Sequence, residues 1–266
     1  MDGCAGFQDI DVGLHGLLRE LDRRGYDFVT PTPVTHSRVL GRRAEARHGD
    51  LRDILGWSRA FDPADAPEFL LEALDGAGLL AECGALVKSQ VRVSRLHARL
   101  FVHSAFPTDA QDAVFLGPDS YRFADFILRN LPADTRRVID VGGGAGVGAL
   151  TVAGAAPDAE VTISDINPLA LRFARINAAH AGLRVGTRQA CGLSEAAAGL
   201  DLVIANPPYM AEASQTYRNG GDLHGAALSV AWAAAALEKL RPGGRMLLYT
   251  GSAICDGGHD HLRQAL

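Results

Sequence analysis

The sequence predicts an α/β chain in two parts, a mainly helical N-terminal region over 1–115 and a doubly wound, mostly parallel sheet over 116–266. Three observations carry this. From Arg136 onward, apolar runs of strand length alternate with helical periods, a rhythm that requires parallel strands with helices on both faces. A glycine-rich run, Gly142-Gly143-Gly144-Ala145-Gly146-Val147-Gly148, separates the first of those strands from its helix. Before Arg136, leucines at helical spacing give way to short β-rich runs.

The elements follow in order. Leu14, Leu17, Leu18 and Leu21 share one helical face before Gly25, and Thr30-Pro31-Thr32-Pro33 breaks the chain. Further helices are expected over 34–47 and 50–58. Pro67 opens another, with Phe69, Leu70, Leu71 and Leu74 apolar and Gly76 and Gly78 closing it. Residues 85–94 and 97–104 read as a hairpin, and helices followed by a hairpin resemble a winged-helix module. From Lys88 to His103 there is no acid, while Lys88, Arg92, Arg95, Arg99, His97 and His103 are basic. Two readings stand for this segment, a solvated strand face and a contact for phosphate or an acidic protein partner. The stretch from Gly117-Pro118-Asp119 to Leu131-Pro132 reads as an amphipathic helix carrying Phe123, Phe126 and Ile127. Strands are then expected at 136–141, 160–165, 184–189, 200–205 and 244–250, and helices at 146–156, 168–181, 223–240 and from about 258.

Composition bounds the function. Of 266 residues, 47% are hydrophobic and 21% charged, which supports a packed core and excludes wholesale disorder. A net charge of −5 excludes a strongly basic nucleic-acid coat. Cys4, Cys83, Cys191 and Cys255 form no C-x-x-C pair, so buried free thiols are expected rather than a zinc site or a disulfide framework. Acids at Asp2, Asp9 and Asp11 precede any base, and no apolar stretch has the length of a membrane span, so the expected location is the cytoplasm.

Three segments carry chemistry. The glycine run leaves a buried strand and enters a helix, where backbone N–H groups are free to meet a ligand. Gly144-x-Gly146-x-x-Ala149 would also satisfy the dinucleotide pattern, but Asp140 just before the glycines sits badly beside a pyrophosphate and suits a ligand bearing an ammonium and a sulfonium. Asp165, within Ser164-Asp165-Ile166-Asn167-Pro168, lies where a carboxylate can accept from both hydroxyls of a ribose; Asn167 and Pro168 already supply the start of the next helix. Asn206-Pro207-Pro208-Tyr209 follows the strand Leu202-Val203-Ile204-Ala205 directly. The Asn206 amide oxygen and the Pro207 carbonyl can accept both hydrogens of a planar NH2 group, and Tyr209 offers a ring for stacking.

On these motifs, residues 117–251 resemble a class I S-adenosylmethionine-dependent methyltransferase of the Asn-Pro-Pro-Tyr group, which includes release-factor glutamine N5-, rRNA guanine N2- and DNA adenine N6-methyltransferases. The resemblance implies a Rossmann-like sheet and S-adenosyl-L-methionine as cofactor, with no metal required. It implies that Asp140, Gly142, Gly144 and Gly146 hold the methionine part and Asp165 with Ile166 the adenosine. Asn206, Pro207, Pro208 and Tyr209 would present the target nitrogen, with Asn206 also bordering the cofactor. Gly117-Pro118-Asp119-Ser120 resembles a segment that closes over the cofactor. Two departures stand out. Gln189-Ala190-Cys191-Gly192 replaces the usual Gly-Asp pair near the adenine, and the chain ends in the helix after the fifth of seven expected strands. Either the sequence is a fragment, or something else covers the edge of strand five.

The expected activity is methyl transfer to a planar NH2 nitrogen, a protein glutamine amide or an rRNA base amine. A small-molecule or cofactor-modifying enzyme, a non-catalytic methyltransferase-like scaffold and a nucleotide-dependent oxidoreductase are the alternatives. The partner is a protein, a structured RNA or a small molecule; DNA fits least, no membrane is expected and the oligomeric state is open. Tyr217-Arg218-Asn219-Gly220-Gly221-Asp222 reads as a mobile lid or an ordinary surface loop, with Asp222 capping the next helix. Ser252, Asp256, His259 and His261 have no spacing that supports a triad or a metal cluster.

Overall fold

The computed structural model describes residues 9–42, 50–210 and 220–266. The N-terminal region comprises α1 (Asp9–Arg23), α2 (Pro33–Arg42), α3 (Leu51–Leu55) and α4 (Glu68–Gly76), then β1 (Leu80–Cys83), β2 (Leu86–Ser89), β3 (Val91–Leu96) and β4 (Arg99–Ser104). The α1 leucines Leu14, Leu17, Leu18 and Leu21 are all buried, as their spacing predicts. Each such burial contributes roughly 1.5–3 kcal/mol.

The expected single strand over 85–94 is two strands. The Ser89 hydroxyl donates to the Val91 carbonyl at 2.7 Å and accepts from the Val91 N–H at 3.2 Å, which turns the chain locally. β2 therefore pairs with β1, and β3 with β4. The β3–β4 hairpin is not a projecting wing. Most of its residues are buried, with α3 against β3 and with α1 and α7 (Pro168–Ala181) against β4.

The basic segment is likewise neither a solvated face nor a phosphate patch. Arg92 is only 4% exposed, lies 5.7 Å and 5.8 Å from the ring centres of Phe28 and Phe106, and meets His36 Nδ1 at 3.1 Å. Lys88 donates to the Phe106 carbonyl at 2.8 Å, and Arg95 to Asp22 at 2.9 Å and the Tyr26 carbonyl at 2.7 Å. His103 is buried against Ser94, and His97 meets Asp125. These groups have internal partners, and that is why no surface stripe forms.

After α5 (Pro118–Asn130) come β5 (Arg137–Val141), α6 (Val147–Ala155), β6 (Glu160–Asp165), the α7 helix, β7 (Gly186–Gln189) and β8 (Leu200–Ala205). The chain continues through α8 (Asp222–Gly225), α9 (Ala227–Lys239), β9 (Leu240–Leu248), β10 (Ile254–Cys255), β11 (His259–Asp260) and α10 (His261–Ala265). β5 to β9 form one parallel sheet in the order β7-β6-β5-β8-β9, so strand order reverses at β5 and opens a crevice at the carboxyl ends of β5 and β8. β9 is the expected edge, while β10 and β11 pair with each other. The helix expected over 223–240 is continuous only from Ala227, because Leu223 and His224 are left-handed at φ 55°. Asp222 makes no side-chain cap there, and the Tyr217–Asn219 part of the expected lid lies outside the described residues.

One apolar core runs from the α1 leucines through Val102 to Ala145, Phe173 and Ile176, and so crosses from the N-terminal region into the sheet layer. Asn177 on α7 is fully buried in this seam. Its Oδ1 accepts from the Val102 N–H at 2.8 Å, and its Nδ2 donates to the carbonyls of Val102 at 3.1 Å and Ala145 at 2.9 Å. The thiols are free but not buried as expected. Cys83 is exposed at the end of β1 and Cys191 in the loop after β7, Cys255 is half-buried, and Cys4 lies outside the described residues. Among the described residues no helix is long and apolar enough to cross a membrane.

Candidate functional site

The crevice is floored by the β5–α6 loop. Gly142, Gly144 and Gly146 have φ of 64°, 54° and 85°, which other residues adopt only at a cost of about 1–2 kcal/mol. The turn is held by the Gly142 N–H donating to the Ser164 carbonyl at 2.7 Å and the Gly146 N–H to the Gly143 carbonyl at 2.8 Å. A side chain at Gly142 would stand 2.6 Å from the Trp232 ring, whereas open space faces Gly144. The loop is thus tight on its inner side and open where a ligand can approach.

Asp140 lies beneath the loop rather than in the crevice. It is 1% exposed, and its Oδ2 accepts the Ala149 N–H at 2.8 Å, which holds the first turn of α6. Burial pushes its carboxyl up to about 7; the nearby Asp165 adds to this and the Ala149 N–H opposes it. Asp165 ends β6, with Oδ2 accepting from the Gly144 N–H and Oδ1 from the Asn167 N–H, both at 2.9 Å. Burial raises its pKa while these donors pull it down. Asn167 and Pro168 begin α7 as expected, with Asn167 Oδ1 accepting the Leu169 N–H at 2.9 Å.

Ile166, beside Asp165, is 66% exposed, an apolar side chain left at the crevice rim. Gln189 donates to the Ile166 carbonyl at 3.2 Å, and the Gly192 carbonyl accepts from Ser164 Oγ at 2.8 Å, so the segment that departs from the family pattern is tied to the end of β6.

Asn206, Pro207, Pro208 and Tyr209 leave the carboxyl end of β8, the strand beside β5. Asn206 is half-buried, and no described residue hydrogen-bonds its side chain. The Tyr209 hydroxyl donates to the Asp119 carboxylate in the first turn of α5. Burial and this anion both raise the phenol's pKa. The ring packs on Gly251, where a side chain would come within 2.6 Å of it.

The structure therefore brings the glycine loop, Asp165, Ile166 and the Asn206–Tyr209 segment to one end of the sheet, with Asp140 directly behind. Two participants were not singled out from sequence. Asp119 belonged to the expected covering segment, but its bond to Tyr209 has no signature in chain order. Trp232 packs between Gly142 and Gly192, and the signal for it was present: it is one of two tryptophans and stands alone in an alanine-rich helix.

An open glycine turn, a carboxylate with oxygens facing backbone donors, an exposed apolar side chain beside it and a buried acid beneath fit S-adenosylmethionine. They match a methionine moiety bearing positive charge, a ribose diol and a planar base.

Comparison with known proteins agrees. The methyltransferase small domain family matches residues 111–254. A release factor glutamine methyltransferase of Deinococcus radiodurans is 39% identical over 252 residues, 92% of this chain and 83% of that protein. The enzyme of the same name from Koribacter versatilis is 32% identical over 161 residues, and the match spans 55% of this chain and 58% of that protein, under two thirds of its length. A ribosomal RNA small subunit methyltransferase C of Hahella chejuensis is 37% identical over 86 residues, 32% of this chain and 25% of that protein. The chain belongs to the methyltransferase small domain family of S-adenosylmethionine-dependent methyltransferases.

Proposed function

We propose that this protein is a cytoplasmic enzyme that methylates the side-chain amide nitrogen of a glutamine in a release factor. The observation that carries the reading is the Asn206–Tyr209 segment at the end of β8, beside the β5 glycine loop, with the Asn206 amide unengaged by any described residue. The similarity to the Deinococcus protein supports the acceptor class, because it extends through the N-terminal region, whereas the rRNA methyltransferase match covers a third of the chain. The internal pairing of Lys88, Arg92 and Arg95 also leaves this segment poorly suited to an RNA backbone.

S-adenosylmethionine supplies an electrophilic methyl group. When it is bound, Asp165 would accept from the ribose hydroxyls and Ile166 would cover one face of the base, while the loop at Gly142, Gly144 and Gly146 would admit the methionine part. Asp140 places negative charge under the loop. Asn206 Oδ1 and the Pro207 carbonyl would accept the two amide hydrogens, which would raise electron density on a nitrogen whose lone pair is otherwise delocalised and orient it for transfer. Tyr209 would stack on the amide plane, and the proton that the nitrogen gives up on transfer would pass to solvent.

Purified protein, radiolabelled S-adenosylmethionine and a purified release factor test the reading. Label is expected on one glutamine, with Asn206→Ala abolishing transfer while cofactor affinity stays within about twofold. Label entering small-subunit rRNA instead would overturn the acceptor, and equal loss of binding and transfer would overturn the role of Asn206.

A further inference from the structure

Behind the Asn206–Tyr209 segment lies a second group of reactive side chains. Chain order separates His224 on α8, Cys255 on β10 and His261 at the start of α10, yet their donor atoms all lie within 4.8 Å of one another. Local chemistry assembles them. β10 and β11 pair across a turn in which Gly257 and Gly258 are left-handed, and Asp260 accepts the Arg263 N–H at 3.0 Å to start α10. Cys255 and His261 thereby stand on the same side of one small hairpin-and-helix unit. The His224 ring lies 5.4 Å from that of His261 at an interplanar angle of 21°.

A second observation is independent of this proximity. Leu223 and His224 are both left-handed at φ 55°, a conformation that two consecutive non-glycine residues adopt only against a steric penalty. That backbone delivers His224 to the group. A solvent-open depression of about 460 Å³ adjoins the two histidines, lined by Gly221, Asp222, Leu223, His224 and His261.

We propose that His224, Cys255 and His261 bind a zinc-class divalent cation that clamps α8 to the C-terminal hairpin. Two imidazoles and a thiolate are borderline-soft donors, which select zinc over magnesium or calcium. Around a tetrahedral ion such donors stand about 3.5 Å apart, so the group needs to close by about 1 Å, within reach of the exposed His224 side chain. On binding, the Cys255 thiol gives up its proton to solvent and both imidazoles bind as neutral rings. The fourth position is left for water or for Asp222.

The location gives the clamp a consequence. Side chains at Gly220 and Gly225 would stand 2.7 Å from the Pro208 carbonyl and 2.5 Å from the Tyr209 carbonyl, so the segment flanking and forming α8 presses directly on the Asn206–Tyr209 backbone. Fixing α8 fixes the wall against which that backbone rests.

The test uses the full chain, reduced and stripped with chelator, titrated with Co²⁺ alone. The expected result is one equivalent bound, with a near-ultraviolet thiolate-to-cobalt band and the visible bands of a four-coordinate ion, all removed by Zn²⁺. Cys255→Ser should lose the near-ultraviolet band. His224→Gln, at an exposed position, should bind Co²⁺ at least about tenfold more weakly, while its metal-free thermal unfolding matches the parent. Zn²⁺ should raise the melting temperature of the parent and not of His224→Gln. No thiolate band in the parent overturns the site, as does a band that survives in Cys255→Ser. Should Cys255→Ser fail to fold, unchanged Co²⁺ affinity in His224→Gln overturns it alone.

Discussion

The Tyr209 hydroxyl donates to the Asp119 carboxylate, joining the segment expected to present the target nitrogen to the first turn of α5. Because Tyr209 also rests on Gly251, both ends of its side chain are fixed and the plane of the ring is set before any acceptor arrives. A hydrogen bond to a charged group contributes about 1.5–3 kcal/mol. Tyr209→Phe should lower stability by about 1.5–3 kcal/mol and Asp119→Asn, which keeps a neutral acceptor, by less, and the double variant should lose little more than Tyr209→Phe alone. Denaturant unfolding of the four proteins measures that coupling, and full additivity would show that the two groups act separately.

The buried acid beneath the glycine loop predicts an unusual pH dependence. The folded-state pKa of Asp140, about 7, lies above its ordinary value of 3.8, so the folded chain holds this proton more tightly than the unfolded chain. The contribution to stability is complete below pH 3.8 and is lost as pH rises through 7, to a total of about 4 kcal/mol. Asp140→Asn should flatten this slope in the cofactor-free protein and be the more stable form at pH 8. Binding of a cationic cofactor should favour the ionised acid, so affinity in the parent should rise with pH through 7 and in the variant should not. Urea unfolding and calorimetric titration at pH 5, 6, 7 and 8 check both limbs.

Neighbouring glycines in the loop should fail in opposite ways. Gly142→Ala meets both left-handed strain and the Trp232 ring, and should cost about 2–3 kcal/mol of stability. Gly144→Ala meets only the strain, about 1 kcal/mol, but puts a methyl group on the open side of the loop. Thermal unfolding should rank Gly142→Ala as the less stable, and cofactor titration should rank Gly144→Ala as the weaker binder relative to its stability.

In the N-terminal region, burial and the charges of Arg92 and Lys88 depress His36 to about 4. The folded state keeps this ring neutral, so its contribution to stability is full above 6.5 and lost as pH falls towards 4. Arg92→Met should raise the His36 pKa, so the titration moves to higher pH and the total acid-linked loss of stability becomes smaller. Trp57, whose ring centre is 5.4 Å from that of His36, offers the fluorescence readout of that titration.

Much of this was legible in chain order, and the reason is local. Asn167-Pro168 starts α7 because the Asn167 side chain and the proline ring act on the next few residues alone. The α1 leucines and the β5, β6 and β8 strands were likewise written in short-range periodicity. The misreadings arose where a distant group decides. The basic residues from Lys88 to Arg95 look solvated until Phe28, Phe106, His36 and Asp22 are brought to them by the fold. Ser89 splits a continuous β-rich run with a single hydroxyl, a feature no periodicity registers. Tyr209 was legible as a motif member, but its partner ninety residues earlier was not.

Asn177 carries a consequence for how such enzymes diversify. One amide side chain bonds both backbone groups of Val102 in the N-terminal hairpin and the carbonyl of Ala145 in the glycine loop. Recombination that exchanged residues 1–115 for another N-terminal region would leave this amide without its strand, and with it the loop it steadies. A working chimaera must inherit the inner face of α7 together with the new N-terminal region, so the two regions travel as a linked pair rather than as interchangeable parts.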